Sequence, residues 1–300
     1  MADRIPILSA SRRTDIPGFY MPWFLDRIDR GTFIITNPFN RKTKIVDATP
    51  KAVHTIVFWS KNFGPFFEMG AHKILKEKGY NLFFNFTINT PVPELEPELP
   101  DLEDRLNQMA RLADAFDPNQ INWRFDPICF YERDGCTMTN LDSFESITDR
   151  LSGIGIKRCI TSFYDPYKKV DVRLARLFPH GKLKLIDPNT VTKSQVIEDM
   201  ANTLIKKRIS LSLCCEKELI DQAGLSTKVQ SSACIDGRLY KKLFGGNPEI
   251  AGDYGQRRKK GCQCTKSVDV GAYDHHPCPH NCLFCYARTE FDTRKKTKQI

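Results

Sequence analysis

Eight of the eleven cysteines in this 300-residue chain lie from Cys214 onward. Three of them, Cys278, Cys282 and Cys285, are spaced C-x-x-x-C-x-x-C, with Phe284 directly before the last. Thiolates at this spacing suit three irons of a [4Fe–4S] cube and leave the fourth iron without a protein ligand, open to a small chelating molecule. Zinc is the competing use of the same sulfurs. Cys262, Cys264, Cys278, Cys282 and Cys285, with His275, His276 and His280 nearby, have the right types for two tetrahedral sites. Structural zinc ligands usually come in matched couples two to four residues apart, so this triple favours the cluster.

The other late cysteines need partners of their own. In a reducing compartment a group of cysteines at one end of a large chain reads as ligands rather than disulfides. Neighbours on a strand point to opposite faces. Ile209, Leu211 and Leu213 form an apolar face towards the helices, so Ser210, Ser212 and Cys214 should face inward, and Cys214 rather than Cys215 is the expected ligand. Cys214, Cys234, Cys262 and Cys264 then make four ligands for a second, fully coordinated auxiliary cluster. Cys129, Cys136 and Cys159 are scattered and read as small core residues.

These groups must be held by a scaffold, and its outline is visible. Strand candidates are Arg4–Ala10, Thr55–Trp59, Leu82–Ile88, Ile121–Phe125, Arg158–Phe163 and Ile209–Cys214. Helical periodicity marks Pro22–Arg30, Pro65–Lys78, Asp101–Phe116, Leu141–Leu151, Val170–Phe178 and Lys193–Lys207. Strands alternating with helices predict an α/β fold of parallel units, a partial or full (β/α) barrel. Thr32–Thr49 reads as a β-hairpin excursion and Pro91–Pro100 as a loop. Residues 1–220 are taken as the barrel and 221–300 as a C-terminal iron–sulfur region.

Barrel chemistry gathers at the C-terminal ends of the strands. Here those ends carry Ser11-Arg12-Arg13-Thr14-Asp15, Ser60-Lys61-Asn62, Thr87–Thr90, Arg124 with Asp126, Tyr164-Asp165, and Cys214-Cys215-Glu216. Six polar ends on one face predict a binding cavity.

Composition removes some alternatives. The chain is 41% hydrophobic and 27% charged, as expected of a globular protein. Its longest apolar runs, such as Ile56–Trp59 and Leu82–Phe84, are far too short to cross a bilayer, so no membrane role is expected. Met1–Pro6 has no signal region or lipidation motif, which predicts a cytoplasmic protein. The net charge of +9 is uneven, with Arg257–Lys260 and the tail Arg294–Lys298 flanking the cysteine triple. Those runs are either solvated loops or a positive field for an anionic substrate or nucleic acid.

With its preceding aromatic, the triple resembles the signature of the radical S-adenosylmethionine superfamily. Over nearly its whole length the chain resembles the prokaryotic domain of unknown function 1848 family. The matching stretches are Ser11–Ile16, Asn37–Phe39, Phe58–Asn62, Phe86–Ile88, Trp123–Ile128, the cysteine before Glu216, Cys234–Asp236, Gln256-Arg257 through Cys264, Ser267–Tyr273 and Cys278–Ala287. That family carries at its C-terminus a cysteine cluster like the one radical S-adenosylmethionine enzymes have near the N-terminus. The resemblance implies a circularly permuted, radical-SAM-like barrel whose N-terminal strand takes the second position.

It further implies a cofactor pair of [4Fe–4S] cluster and S-adenosyl-L-methionine. An external electron donor such as flavodoxin or ferredoxin and a small-molecule or anionic substrate would complete the system. Cys278, Cys282 and Cys285 would hold the open cluster, with Phe284 and Tyr286 shielding it. Ser11, Arg13 and Asn62 would lie by the cofactor, and Arg12, Asp15, Lys61, Arg124 and Asp126 would line the catalytic cavity. The alternative from another class is a non-catalytic iron–sulfur or zinc protein that binds nucleic acid through its basic runs.

Overall fold

The computed structural model describes residues 3–37, 40–179, 182–222, 228–287 and 289–293. Its strands are β1 (Ile7–Ala10), β2 (Thr32–Thr36), β3 (Thr43–Asp47), β4 (Thr55–Ser60), β5 (Leu82–Thr87), β6 (Ile121–Ile128) and β7 (Phe130–Arg133). They continue as β8 (Cys136–Thr139), β9 (Arg158–Phe163), β10 (Leu183–Ile186), β11 (Ser210–Leu213), β12 (Val229–Ser231) and β13 (Val268–Asp269). Eight of these form one parallel sheet in the order β12-β11-β9-β6-β5-β4-β1-β13.

All six strands expected from the sequence are in that sheet, separated by helices that include Met21–Asp29, Leu102–Ala115, Phe144–Ile154, Lys168–Leu177 and Thr190–Lys206. The helix expected over Pro65–Lys78 is two, Gly64–Glu68 and Ala71–Glu77. Gly70 breaks it by taking a left-handed φ of 66°, a conformation that costs glycine little. The expected hairpin is β2–β3. A small antiparallel sheet, β10-β7-β8, was not foreseen. It leaves Cys136 exposed, correcting the expectation that this cysteine is a core residue, whereas Cys129 and Cys159 are buried.

The parallel sheet separates two apolar layers. Leu8, Ile56, Phe58, Leu82, Phe84, Trp123, Phe125, Leu211 and Leu213 point to the helices and form the main core. The alternate residues Ile7, Val57, Phe83 and Ile160 point the other way and pack with Cys234, Ile235, Tyr240, Cys262 and Cys264. Period-two alternation of a strand sends its residues to these two destinations.

The edges β12 and β13, of three and two residues, do not pair with each other among the described residues, so the full barrel gives way to an open sheet. Chain from the C-terminal region, including the helix Gly237–Phe244, covers the inner face instead. Residues beyond 220 thus contribute both edge strands as well as the inner layer.

Candidate metal centre

The cysteine triple follows β13, which pairs in parallel with β1. Asp269 at the end of β13 fixes the two strand ends together. Its carboxylate accepts bonds from Ser9 Oγ (3.0 Å), Ser11 Oγ (2.6 Å), Arg12 N (2.8 Å) and Gly271 N (3.1 Å). Gly271 is required by this approach, because a Cβ there would lie 2.2 Å from Ser11 Oγ.

A second carboxylate ties the cysteine loop to the sheet. Asp15 accepts from Gly18 N (2.8 Å), Ser60 Oγ (2.7 Å) and Lys61 N (2.8 Å), and lies 2.8 Å from Nε2 of the buried His280. The loops after β1 and β4 and the cysteine loop therefore meet on one side chain.

The loop backbone is held from the other side by Arg173, whose side chain is fully buried. Its Nη1 donates to the carbonyls of Cys282 (3.2 Å), Leu283 (2.7 Å) and Cys285 (3.0 Å). Its Nε and Nη2 donate to the two oxygens of Asp292, at 3.1 and 2.7 Å. A bidentate pair of this kind fixes direction as well as charge. Asp292 is held below the usual carboxylate range: burial opposes the charge, but the bonds from Arg173 and the Thr289 backbone outweigh it.

The sulfurs have distinct surroundings. Cys278 feels the negative charge of Asp15, and Cys285 accepts a hydrogen bond from Ala287 N at 3.3 Å. The Cys282 thiol meets the buried Glu96, with Sγ to Oε1 at 3.7 Å, and Lys61 Nζ donates to that same oxygen at 2.6 Å. Burial pushes all three thiols up. The three feel one another's charge, but no sulfur–sulfur hydrogen bond joins them among the described residues.

Five further cysteines are in mutual contact on the inner face. Cys214 Sγ is 3.8 Å from both Cys215 Sγ and Cys234 Sγ. Cys262 and Cys264 pack with Cys234 in the same buried cluster and complete a ring of five thiols close enough to influence one another's ionisation. The expectation that Cys215 points away is corrected here. The chain leaves the extended conformation after Leu213 and Cys215 adopts φ 64°, which brings both sulfurs to one side.

Backbone bonds from Ser232 N to Leu213 O (2.8 Å), Gln263 N to Ser232 O (3.1 Å) and Thr265 N to Ile235 O (3.0 Å) hold the contributing segments together. Arg124, buried and ion-paired with Asp126, donates from Nη1 to Cys234 Sγ at 2.8 Å. The guanidinium groups of Arg124 and Arg12 both lie over the Trp59 ring, at 5.2 and 5.7 Å. Among the described residues, no group of three or more Cys, His, Asp or Glu is preassembled as a metal cage.

The expected site residues thus divide. Asp15, Lys61, Phe284 and Tyr286 lie around the triple, Ser11 instead bonds Asp269 at the end of β13, and Tyr286 OH donates to the Arg12 carbonyl at 2.8 Å. Phe284 is buried with Val92 and Leu95, whereas Tyr286 is 43% exposed. Arg124 and Asp126 face the ring side. Arg13 donates to Gly271 O at 3.0 Å, and Asn62 serves its own turn, accepting from Gly64 N and Gln108 Nε2.

Of the basic run, Arg257 and Lys260 both pair with Asp165, and Arg258 lies over Tyr254. The tail Arg294–Lys298 lies outside the described residues. His276 is occupied by Ala272 N at 3.2 Å and packs against Tyr20 and Trp23. Two surface clefts abut the loop. One is lined by Trp23, Arg27, Gly271, His275 and His276, and the other by Lys168, Lys169, Arg176 and the Arg173–Asp292 clamp.

Sequence reasoning missed Glu96, Trp59, Asp269, the pairing of His280 with Asp15, and Arg173 with Asp292. Arg173 alone carried a signal: it sits at helical spacing with Val170, Leu174 and Leu177, a charge inside an apolar stripe.

No curated protein matches the chain. Among solved structures it is similar to a D-hydantoinase, at 10% identity and a TM-score of 0.31, covering 60% of this chain and 39% of that one. It is also similar to a 2,6-dihydroxybenzoate decarboxylase complexed with 2,6-dihydroxybenzoate, at 11% identity and a TM-score of 0.29, covering 73% and 69%. The model of the family described as Domain of unknown function (DUF1848) matches residues 7–287, from the first residue of β1 to beyond the last cysteine, and the chain belongs to that family.

Proposed function

We propose that this chain is a radical S-adenosylmethionine enzyme in which Cys278, Cys282 and Cys285 hold a [4Fe–4S] cluster with one open iron. The observation that carries this reading is the cysteine loop itself. It offers three thiols within one eight-residue loop, with Cys285 accepting a backbone N–H bond from Ala287, and Cys282 meets Glu96 rather than another cysteine. This donor set fits a cube with three protein ligands. The strand order β13-β1-β4-β5-β6-β9 adds support, since a permuted radical-SAM-like sheet requires the cysteine loop to follow the strand beside β1.

When bound, the reduced cluster supplies the electron that cleaves S-adenosylmethionine to methionine and a 5′-deoxyadenosyl radical able to take hydrogen from a substrate. The protein's own groups position and exclude. Asp15, with Ser60 and His280, fixes the loop against the sheet. Arg173 holds its carbonyls, and the Lys61–Glu96 pair sets the polar floor beside Cys282. Phe284 closes one wall against water from within its apolar cluster. Arg12 and Arg124 give the inner face a positive character suited to an anionic substrate.

The test is protein prepared without oxygen, assayed for iron, acid-labile sulfide and reductive cleavage of S-adenosylmethionine. The expected result is cluster iron with matching sulfide and production of 5′-deoxyadenosine, both lost in Cys282→Ala. A cluster-loaded protein that makes no 5′-deoxyadenosine, or cleavage that persists in Cys282→Ala, overturns the assignment.

A further inference from the structure

The inner face of the sheet has a second concentration of sulfur, and its geometry differs from that of the loop. Five thiols come from three separate segments: the end of β11, the turn after β12, and the chain after the basic run. Cys214 Sγ lies 3.8 Å from the sulfurs of both Cys215 and Cys234, and Cys262 and Cys264 share the buried cluster of Cys234. A tetrahedral ion with metal–sulfur bonds of about 2.3 Å has sulfur–sulfur edges of roughly 3.8 Å. A cube interposes four irons and four sulfides and holds its cysteines well beyond contact.

The surroundings suit a negatively charged thiolate centre. Arg124 is buried and already bonds Cys234 at 2.8 Å. Arg12 lies across the same tryptophan and has a buried Nη2 without a hydrogen-bond partner. The buried amides Asn122 and Asn85 form a row in which Asn122 Nδ2 donates to Asn85 Oδ1 and Asn85 Nδ2 to the Cys234 carbonyl, both at 3.0 Å, fixing the Cys234 backbone.

We propose that this ring binds one tetrahedral metal ion of the zinc or ferrous class through Cys214, Cys234, Cys262 and Cys264, separate from the Cys278–Cys285 loop. Cys215 is the fifth thiol and not a ligand. Cys214 touches Cys234, the sulfur that takes the Arg124 bond, whereas Cys215 meets the group through Cys214. Binding exchanges the protons of the four thiols for the ion and changes no oxidation state. The second cubic cluster foreseen from sequence for these same four cysteines is the alternative that sulfide content separates from a mononuclear centre. The inference does not depend on radical chemistry at the loop.

The experiment is metal and sulfide analysis of the full chain, purified anaerobically, as wild type and as Cys282→Ala, Cys234→Ser and Cys215→Ser. One zinc or iron per chain, unaccompanied by sulfide, is expected to survive Cys282→Ala and Cys215→Ser and to be lost in Cys234→Ser. Because Cys234→Ser removes a buried group, a second measurement uses the unsubstituted chain. Cobalt(II) added to metal-depleted protein should give the intense absorption of a tetrahedral thiolate complex and protect Cys214, Cys234, Cys262 and Cys264, but not Cys136, from alkylation. Ring thiols that stay reactive with cobalt present, or sulfide lost together with several irons in Cys234→Ser, overturn the proposal.

Discussion

The two cysteine groups solve different problems. In the loop, three thiols sit within eight residues, and their surroundings are two carboxylates, Asp15 and Glu96, one ammonium and a guanidinium that grips the backbone. In the ring, five thiols from distant segments gather in one cluster, and the Arg124 guanidinium faces a sulfur itself. A loop whose ligands are local needs its backbone held from outside, which is what Arg173 and Asp15 do. A ring whose ligands are dispersed needs its segments tied to one another, which the bonds among Leu213, Ser232, Gln263, Ile235 and Thr265 do. The contrast lies in what the buried guanidinium grips: the backbone carbonyls of the loop in one case, a cysteine sulfur of the ring in the other.

The largest effect that separates them is Cys282→Ala, which should remove all sulfide-associated iron and all S-adenosylmethionine cleavage while leaving ring metal in place. Simultaneous loss of both metals would mean the groups form one centre.

Arg124→Met comes next. It leaves Asp126 without its ion-pair partner and Cys234 without its donor, in surroundings where the Arg124 and Asp126 side chains are 8% and 20% exposed. A loss of about 3 kcal/mol is expected in denaturant unfolding, with ring metal weakened and loop iron retained. An unchanged unfolding midpoint would show that the guanidinium contributes nothing to the ring.

Asp292→Asn is the counterpart for the loop. It leaves the buried Arg173 guanidinium half satisfied and should cost about 2 kcal/mol, with loop iron more easily removed by chelators and ring metal unchanged. The same pair has a pH signature. Asp292 titrates below its ordinary value in the folded chain, so its contribution is present above about pH 4 and is lost as pH falls towards the lower folded value. Wild type should therefore lose more stability than Asp292→Asn on acidification, and parallel pH profiles would break the assignment.

The smallest effect is expected from Arg257→Ala, where a partly exposed pair with Asp165 is removed. Stability should change by less than about 1 kcal/mol, and both metal contents should stay as they are. A steep, salt-dependent loss of nucleic-acid binding in this variant would instead favour a role for the basic run as a contact surface.

Much of this molecule was legible because its signals are short-range. The six expected strands are short apolar runs bounded by polar ends, and all are recovered, with the same bounds at Arg158–Phe163 and with one end three residues off at Ile7–Ala10 and Ile121–Ile128. The strands that escaped are short or lack a periodic pattern: β12 and β13 have too few residues to show alternation, and β8 is largely exposed. Glu96 was hidden in a proline-rich loop without periodicity. Cys215 was misjudged because alternation applies only while the chain stays extended.

The spacing of Cys278, Cys282 and Cys285 is a property of the sequence, because ligands three or four residues apart stay close whatever the rest of the chain does. So are the alternation of strands with helices and the two-faced pattern of β11. The ring is not, nor are the partnerships of Asp15 with His280 across 265 positions and of Arg173 with Asp292 across 119. Those contacts exist because β13 pairs with β1 and β12 with β11, which carries the last part of the chain back over the inner face. Pairings at such separations depend on how the whole sheet assembles, and only the tertiary structure decided them.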